Sequence, residues 1–263
     1  MATLSLKVLD KDGNTLAVAN GEDFVDLVYT REYQEGDKIE LQSSIKDIHI
    51  NWQVDDAMGK AFVFFTGTET YNIPFGERRI AMSPKVFSGN RHYMYAEIAS
   101  EEETYMYRNL ALNPADQHRE VNIYPHASAN VETRGESVFE ARNAIDGVKA
   151  NLSHGEWPYE SWGINMQDDA LMHLDFGREV KLDKLVLYTR SDFPHDNWWQ
   201  SFTVKFSDGS CETFSLEKSE KAHVIPIEER KVTWLELCDL IKADDPSPFP
   251  ALTQIEAYGR VVR

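Results

Sequence analysis

The stretch ALMHLDFG at residues 170–177, followed by KLDKLVLYTR at residues 181–190, decides the fold class. Parts of both runs alternate apolar with polar residues, which is the period-two pattern of a β-strand with one buried face. The tripeptide at 175–177 supplies the Asp and Gly that a tight turn needs. It has none of the companion motifs of a kinase, so we interpret it as a turn that ends a strand.

Similar short runs recur along the whole chain, and sustained helical periodicity is scarce. They include KIELQSS, AFVFFTG, SFTVKF, ETFSLE and QIEAYG. Within one run, Phe62 and Phe64 are expected to face one core, because residues two apart in a strand share a face. The best helix candidate is ESVFEARNAI at 136–145. Because so many strands must bury their inner faces, the sequence predicts an all-β protein of two β-sandwich, jelly-roll-like domains.

The boundary between the two predicted domains is expected near residues 117–124. Residues 104–118 contain Asn113-Pro114, a turn or exit signal, and a new strand-like run, VNIYPHASANVE, begins at 121. We therefore predict domains at 1–120 and 121–263. The chain has no long linker and no internal repeat, so the two domains are expected to pack together.

Composition and charge narrow the range of partners. The 263 residues include 42% hydrophobic residues and carry a formal net charge of −17. Such a surface is a poor match for nucleic acid or an anionic membrane, and we expect neither as a partner. The N-terminus has no basic start or apolar run of a signal peptide, so we expect either an intracellular protein or one whose leader has been removed; the sequence does not decide between them.

The usual catalytic motifs are missing. The sequence contains no GxSxG elbow, P-loop, GxGxxG, HExxH or clustered CxxC. Adjacent acids such as Asp168 and Asp169 lie in turn-like sequence, where carboxylates are usually solvated. The sequence therefore predicts a protein that is not an enzyme.

Three segments of the second half combine hydrogen-bonding side chains with aromatic rings: NLSHGEWPYESW at 151–162, RSDFPHDNWW at 190–199 and DDPSPFPA at 244–251. Their Pro, Gly, Asp and Ser content is typical of loops. A sugar needs such a mixture, because its hydroxyl groups take planar donors and acceptors while its C–H face packs on an aromatic ring. The pattern indicates carbohydrate binding by loops on a rigid sandwich.

An ordered set of motifs in residues 124–259 carries a family resemblance. It comprises ASANVE at 127–132, Asn-Ala-Ile-Asp-Gly at 143–147, Trp162, LDFG at 174–177, SDG at 207–209 and QIEAYG at 254–259. The region resembles the discoidin-like (coagulation factor five/eight type C) domains, whose group includes the galactose-binding-like carbohydrate-binding modules. This resemblance implies an eight-stranded jelly roll with ligand loops at one end.

The resemblance also implies a set of ligand-binding residues. The sugar-binding branch often uses a His, an Arg and an Asn near an aromatic platform, and the matching positions are His154, Arg190 and Asn197. The loops add further candidates to the predicted site: Trp157, Asp192, His195, Trp198 and Trp199. Because neighbours in a strand point to opposite faces, one of the two adjacent Trp residues is expected to be exposed or to line a site. A structural alternative remains open, in which Asp192 holds Arg190 in a loop salt bridge.

The family commonly holds a structural calcium ion beneath the Asp-Gly loop. The matching positions here are Asn143, Asp146, Val148, Asn151, Thr253 and Gln254. Val148 could offer a carbonyl oxygen, and Gln254 stands where the family often has Glu. Calcium prefers six to eight oxygen ligands, so the loss of this carboxylate is expected to weaken the site.

The sequence thus predicts a non-catalytic carbohydrate-binding protein, with a mono- or oligosaccharide as its partner. One alternative is a glycan-active hydrolase or lyase that uses Asp192, His195 and Asp196 as an acid/base set. A second alternative is a protein-interaction module.

Overall fold

The computed structural model describes residues 1–152, 154–191 and 197–263, and the predicted all-β class is confirmed. Eight strands precede residue 100, and alternate residues in most of them are buried, as a sandwich requires. Their bounds are β1 Thr3–Leu9, β2 Thr15–Glu22, β3 Phe24–Tyr29, β4 Lys38–Ser43, β5 Ile48–Gln53, β6 Ala61–Phe65, β7 Thr68–Asn72 and β8 His92–Ile98.

Later elements include one short helix and nine further strands. These are α1 Glu101–Tyr105, β9 Arg108–Asn109, β10 Ile123–Tyr124, β11 His126–Ala129, β12 Trp162–Gly163, β13 Met172–Thr189, β14 Trp199–Phe206, β15 Cys211–Ser215, β16 His223–Lys242 and β17 Ala251–Val261. Short 3-10 turns lie at Gly76–Arg79, Thr133–Gly135, Ser137–Phe139 and Ala141–Ile145. Among the described residues, no helix is long and apolar enough to cross a membrane.

The first sandwich consists of two antiparallel sheets, with strand orders β2-β1-β4-β7 and β10-β6-β5-β8-β3. Its core lies between them and includes Leu6, Ile39, Trp52, Phe65 and Tyr71, all 0% exposed. Burial of this much apolar surface is the main stabilising contribution to the fold.

The second sandwich is built on long antiparallel strands in the order β12-β17-β13-β16-β14-β15, with β11 also paired to β13. Strand β13 pairs with β11 through Met172–Asp175 and with β17 from Val180 onward. The register between β13 and β16 shifts between these two stretches. Gly177, with a φ of 67°, lies in the shift, so the predicted turn is instead an irregularity within one long strand.

The chain crosses between the two sandwiches more than once around residue 120. Strand β9 pairs with β17, and Leu110 packs in the core of the second sandwich. Strand β10 then pairs with β6, and Ile123 packs in the core of the first. The division at 1–120 and 121–263 stays a prediction.

The outer face of β6 contacts the second sandwich. Phe62 and Phe64 lie on this face, whereas Val63 and its alternate neighbours point into the core, so the expectation that the two Phe residues face the core is wrong. The guanidinium of Arg108 lies 3.9 Å from the ring centre of Phe62, and that of Arg178 lies 5.9 Å from Phe64. The phenylalanines thus form part of the interface between the sandwiches.

The predicted helix at 136–145 is two 3-10 turns rather than one helix. Glu140 separates them with extended backbone angles, φ −67° and ψ 148°. The side chain of Glu132 accepts a hydrogen bond from the amide of Ala141 at 2.8 Å, which satisfies a donor at the start of the second turn.

Candidate functional site

The loops at one end of the second sandwich converge. The short strand β12 pairs with the start of β17 through Trp162–Leu252 and Gly163–Ala251. The amide of Arg190, which follows β13, donates to the carbonyl of Ala251 at 2.9 Å. The ends of three sequence-distant segments are therefore fixed to one another.

A cleft of about 210 Å³ opens between these loops. We call it the loop-end cleft. Its lining residues are Thr133, Arg134, Phe139, His154, Gly163, Ile164, Asn165, Met166, Phe249, Pro250 and Ala251. Aromatic and aliphatic walls surround a few hydrogen-bonding side chains, which is the usual make-up of a small-ligand site.

The wall of this cleft contains a strained backbone turn. Asn165 and Met166 are consecutive non-glycine residues with positive φ, 50° and 59°. Left-handed backbone is costly for a residue as bulky as Met, and such strain clusters at ligand sites. The hydroxyl of Thr133 accepts a hydrogen bond from the amide of Asn165 at 2.9 Å, which helps to hold the turn.

His154 is the member of the predicted ligand set that lines the loop-end cleft, and it is exposed. Its ring packs edge-on against Tyr159, with 5.9 Å between ring centres. Tyr159 in turn packs edge-on against Phe139 at 6.3 Å. The imidazole is thus supported from behind by an aromatic pair.

Arg190 and Asn197 lie beneath the surface, each 1% exposed. Arg190 donates from Nη1 to the carbonyl of Tyr159 at 2.6 Å. Asn197 donates from Nδ2 to the carbonyl of Ser247 at 2.7 Å and accepts from the amide of Trp198 at 2.8 Å. Both side chains therefore bind loop backbone, and their direct contact with a sugar stays a prediction.

The three predicted Trp residues have different surroundings. Trp199 is 0% exposed and packs against Trp162 in the core, so it cannot form a stacking surface. Trp198 is half-buried, with Lys218 Nζ 5.2 Å from its ring centre. Trp157 is half-buried and lines a different cavity, between the two sandwiches. The adjacent pair thus divides into one core and one partly exposed residue, as the alternation of a strand predicts.

Two further predicted ligands, Asp192 and His195, lie outside the described residues, as does Asp196 of the proposed acid/base set. Sequence reasoning missed Thr133, Phe139 and Asn165. Phe249 and Pro250 fall within the third polar-aromatic loop, so composition alone indicated that segment. The turn at Asn165 and Met166 carries no Gly or Pro to mark it.

The positions that the resemblance assigns to calcium form two linked groups. Gln254 accepts from the amide of Gly147 at 3.0 Å and donates to the carbonyl of Ala144 at 2.7 Å. Asn151 donates from Nδ2 to the hydroxyl of Thr253 at 3.1 Å. The Asp-Gly loop is thereby fastened to β17 through side chains.

Oxygen atoms in this region remain without partners among the described residues. Asn143 Oδ1 and Asn151 Oδ1 are buried and accept no hydrogen bond there. Asp146 accepts from the amide of Val148 at 2.8 Å, while burial and the nearby Glu160 raise the pKa of its carboxyl well above the usual range. In the described ranges no three His, Cys, Asp or Glu side chains form a metal-binding group. These positions supply oxygen atoms, the ligand type that calcium prefers, and Asp146 is the one carboxyl among them.

Another cavity between the sandwiches, separate from the one that Trp157 lines, has a volume of about 200 Å³ and a charged lining. Two of its three lining acids are paired with cations: Asp116 with His126 at 2.7 Å, and Glu140 with Arg142 at 2.8 Å. Arg119 binds Glu69 in the same way. This internal pairing is characteristic of a polar interface, and the loop-end cleft is the better candidate for a ligand.

Comparison with known proteins gives solved structures but no sequence family. No protein-family model and no curated protein sequence matches the chain. A chitosan-binding module of a chitosanase/glucanase from Paenibacillus sp. IK-5 is 19% identical, covers 58% of this chain and 99% of its own, and has a TM-score of 0.41.

Two other matches are similar in extent. A fucose-binding module of Streptococcus pneumoniae is 17% identical, with a TM-score of 0.42, over 57% of this chain and 97% of its own. The lectin domain of lectinolysin, in complex with Lewis B antigen, is 17% identical, with a TM-score of 0.43, over 59% of this chain and 98% of its own. By their own descriptions, the three solved structures named here are two carbohydrate-binding modules and a lectin domain.

Proposed function

We propose that this chain is a non-catalytic carbohydrate-binding protein and that the loop-end cleft takes the sugar. The observation that carries the proposal is the lining of the cleft. Exposed His154 and half-buried Asn165 lie beside the aromatic walls Phe139 and Phe249. Such a site offers donors and acceptors to hydroxyl groups and an apolar surface to the C–H face of a sugar ring.

The proposed binding is weak for a single sugar. Each hydroxyl exchanges a water partner for a protein partner at a net gain of roughly 0.5–1.5 kcal/mol. The cleft is open to solvent on one side, so few such contacts form at once. In this proposal Arg190 and Asn197 support the loops from beneath, and Asp192 and His195 stay predicted ligands.

A non-catalytic role agrees with the lack of carboxyl groups among the described lining residues of the cleft. Hydrolysis of a glycoside by the usual mechanism needs two carboxyl groups about 5–10 Å apart. The lining residues of the loop-end cleft within the described ranges include no Asp or Glu. We therefore propose binding without turnover, and the hydrolase alternative depends on Asp192 and Asp196.

Calcium is part of the proposal as a structural ion of the Asp-Gly loop. Asp146, Asn151, Thr253, Gln254, Asn143 and the carbonyl of Val148 are the residues that would hold it. Bound there, the ion would supply rigidity by joining the Asp-Gly loop to β17, and it would take no part in contacting the sugar.

A glycan array tests the proposed function, with purified wild type, His154→Ala and His173→Ala. The control His173 lies in β13, where it pairs with Glu236 at 3.1 Å, away from the cleft. We expect wild type and His173→Ala to bind the same defined set of glycans, and His154→Ala to lose most of that signal. A folded wild type that binds no glycan would contradict the proposal, and equal binding by all three proteins would place the site elsewhere.

A further inference from the structure

A loop of the first sandwich reaches the base of the loop-end cleft. Glu77 lies in the connection between β7 and β8, in the 3-10 turn Gly76–Arg79. Its carboxylate accepts from the amide of Ser137 at 2.8 Å and from the hydroxyl of Ser137 at 2.9 Å. The same hydroxyl lies 2.8 Å from the backbone carbonyl of Glu77, to which it could alternatively donate. These contacts join residues 60 positions apart.

Ser137 begins the turn that carries a wall of the cleft. It is 1% exposed and opens the 3-10 turn Ser137–Phe139, and the ring of Phe139 lines the cleft. Its carbonyl also accepts from Nδ2 of Asn143 at 2.9 Å. The position of Phe139 is therefore set by hydrogen bonds made at the first residue of its own turn.

An apolar contact accompanies these hydrogen bonds. Ala81, also from the first sandwich, forms a small buried cluster with Val138, Phe139 and Tyr159. Tyr159 is the ring against which His154 packs. The loop of the first sandwich thus contacts Phe139, which forms the aromatic wall, and Tyr159, against which His154 packs.

We propose that Glu77 is a positioning residue for the loop-end cleft, so that the first sandwich forms part of the ligand-binding unit. This inference rests on the proposed function of the cleft. Without the carboxylate, the buried amide of Ser137 loses its acceptor, and the turn that carries Phe139 shifts or becomes mobile. The role is one of orientation, because Glu77 does not line the cleft.

Three variants separate positioning from general stability. Glu77→Ala removes both contacts to Ser137, whereas Glu77→Gln keeps a carbonyl oxygen that can accept them. Glu40→Ala is the matched control: Glu40 lies in β4, pairs with Lys7 at 2.8 Å and, among the described residues, makes no hydrogen bond or ion pair with the second sandwich. All three are first shown to be folded by thermal unfolding monitored by circular dichroism.

The first measurement is hydrogen exchange followed by mass spectrometry, which needs no ligand. We expect faster exchange at residues 137–139 and 154–159 in Glu77→Ala, and unchanged exchange there in Glu40→Ala and Glu77→Gln. The second measurement is a titration series on an array of mono- and oligosaccharides. We expect Glu77→Ala to bind about tenfold more weakly than wild type, and the other two variants to bind as wild type does.

The outcomes distinguish this inference from the proposed function. Unchanged exchange at residues 137–139 in Glu77→Ala overturns the positioning role, whether or not any glycan binds. Wild-type affinity in Glu77→Ala, with altered exchange, overturns the link between the turn and the ligand. If the wild type binds no glycan on the array, the proposed function is contradicted. The exchange data still decide whether Glu77 fixes the turn.

Discussion

The two sandwiches bury their apolar faces with strands of different kinds. The first uses strands of at most eight residues in two separate sheets. The second relies on β13 with 18 residues and β16 with 20, interrupted by register shifts. The large buried residues of the first include Trp52 and Tyr71, whereas those of the second also include Arg190.

This difference shows where a site can form. The long loops of the second sandwich carry many backbone groups that its ladders do not satisfy, so buried polar side chains bind them. Asn197 and Gln254 both do so, at 1% and 0% exposure. Loops held in this way keep their shape while their outer side chains remain available to a ligand.

Replacing one core tryptophan in each sandwich is the strongest test of this comparison. Trp52 and Trp162 are both 0% exposed, and each Trp→Ala change is expected to lower the free energy of unfolding by about 3–5 kcal/mol. Trp162 also donates from its indole to the carbonyl of Val131 at 3.0 Å, close to the cleft wall at Thr133. Urea unfolding measures the stability of each variant.

Binding to the glycan array then separates the two variants at a temperature where both are folded. We expect Trp162→Ala to lose binding and Trp52→Ala to retain it. Equal loss of binding in both variants would show that a change in the core of the first sandwich reaches the cleft. It would contradict the assignment of the site to the second sandwich alone.

Calcium is expected to stabilise the second sandwich by a smaller amount. If the ion binds the Asp-Gly loop, saturating calcium stabilises the folded chain by mass action, by about 1–3 kcal/mol. For a chain of this size we expect Tm to rise by roughly 2–4 °C per kcal/mol over its value in chelator. Differential scanning calorimetry with and without calcium measures the rise.

Asparagine variants show whether the rise comes from that loop. Asn151→Ala removes an oxygen that has no partner among the described residues, and it is expected to abolish the rise. Asn130→Ala is the control, because Asn130 also bridges loop backbone, to Asp169 and Leu171 at 2.8 Å each. A calcium-dependent rise that survives in Asn151→Ala would rule out this site.

The smallest expected effect is a pH dependence of stability that comes from His118, at the junction of the sandwiches. A hydrogen bond to Glu132 raises the pKa of His118 above 6.5, and Glu140 adds to the shift, while burial and Arg142 oppose it. The folded pKa lies above the unfolded one, so this contribution to stability is present below about pH 6.5 and is lost as pH rises through the folded pKa.

We expect Tm to fall slightly less between about pH 5 and about pH 9 in His118→Gln than in wild type. The side chain is 55% exposed, so the difference is small. Identical pH profiles would show that the pair with Glu132 contributes nothing to stability.

The parts of the molecule that could be predicted were those set by local pattern. Alternation placed strands along the chain, and the adjacent Trp198 and Trp199 divided between surface and core as a strand requires. The loop at 244–251, rich in Pro and Asp, contributes Phe249 to the cleft. Each of these depends on neighbours within a few residues.

The parts that could not be predicted depend on contacts between distant residues. Arg190 is buried, and the carbonyl of Tyr159, 31 residues earlier, accepts a hydrogen bond from it. Phe62 and Phe64 face outward because Arg108 and Arg178 of the other sandwich cover them. No local pattern distinguishes an arginine that binds a ligand from one that binds a loop.

The exchange of strands around residue 120 has a consequence for how such a protein can be recombined. No single cut in this region separates the two sandwiches cleanly. A cut there would leave β9 and Leu110 on the piece that carries the first sandwich, or β10 and Ile123 on the piece that carries the second. Transfer of the second sandwich alone into another polypeptide would expose the edge of β17 that β9 covers. The two sandwiches are therefore better transferred together, as one unit, than as separate modules.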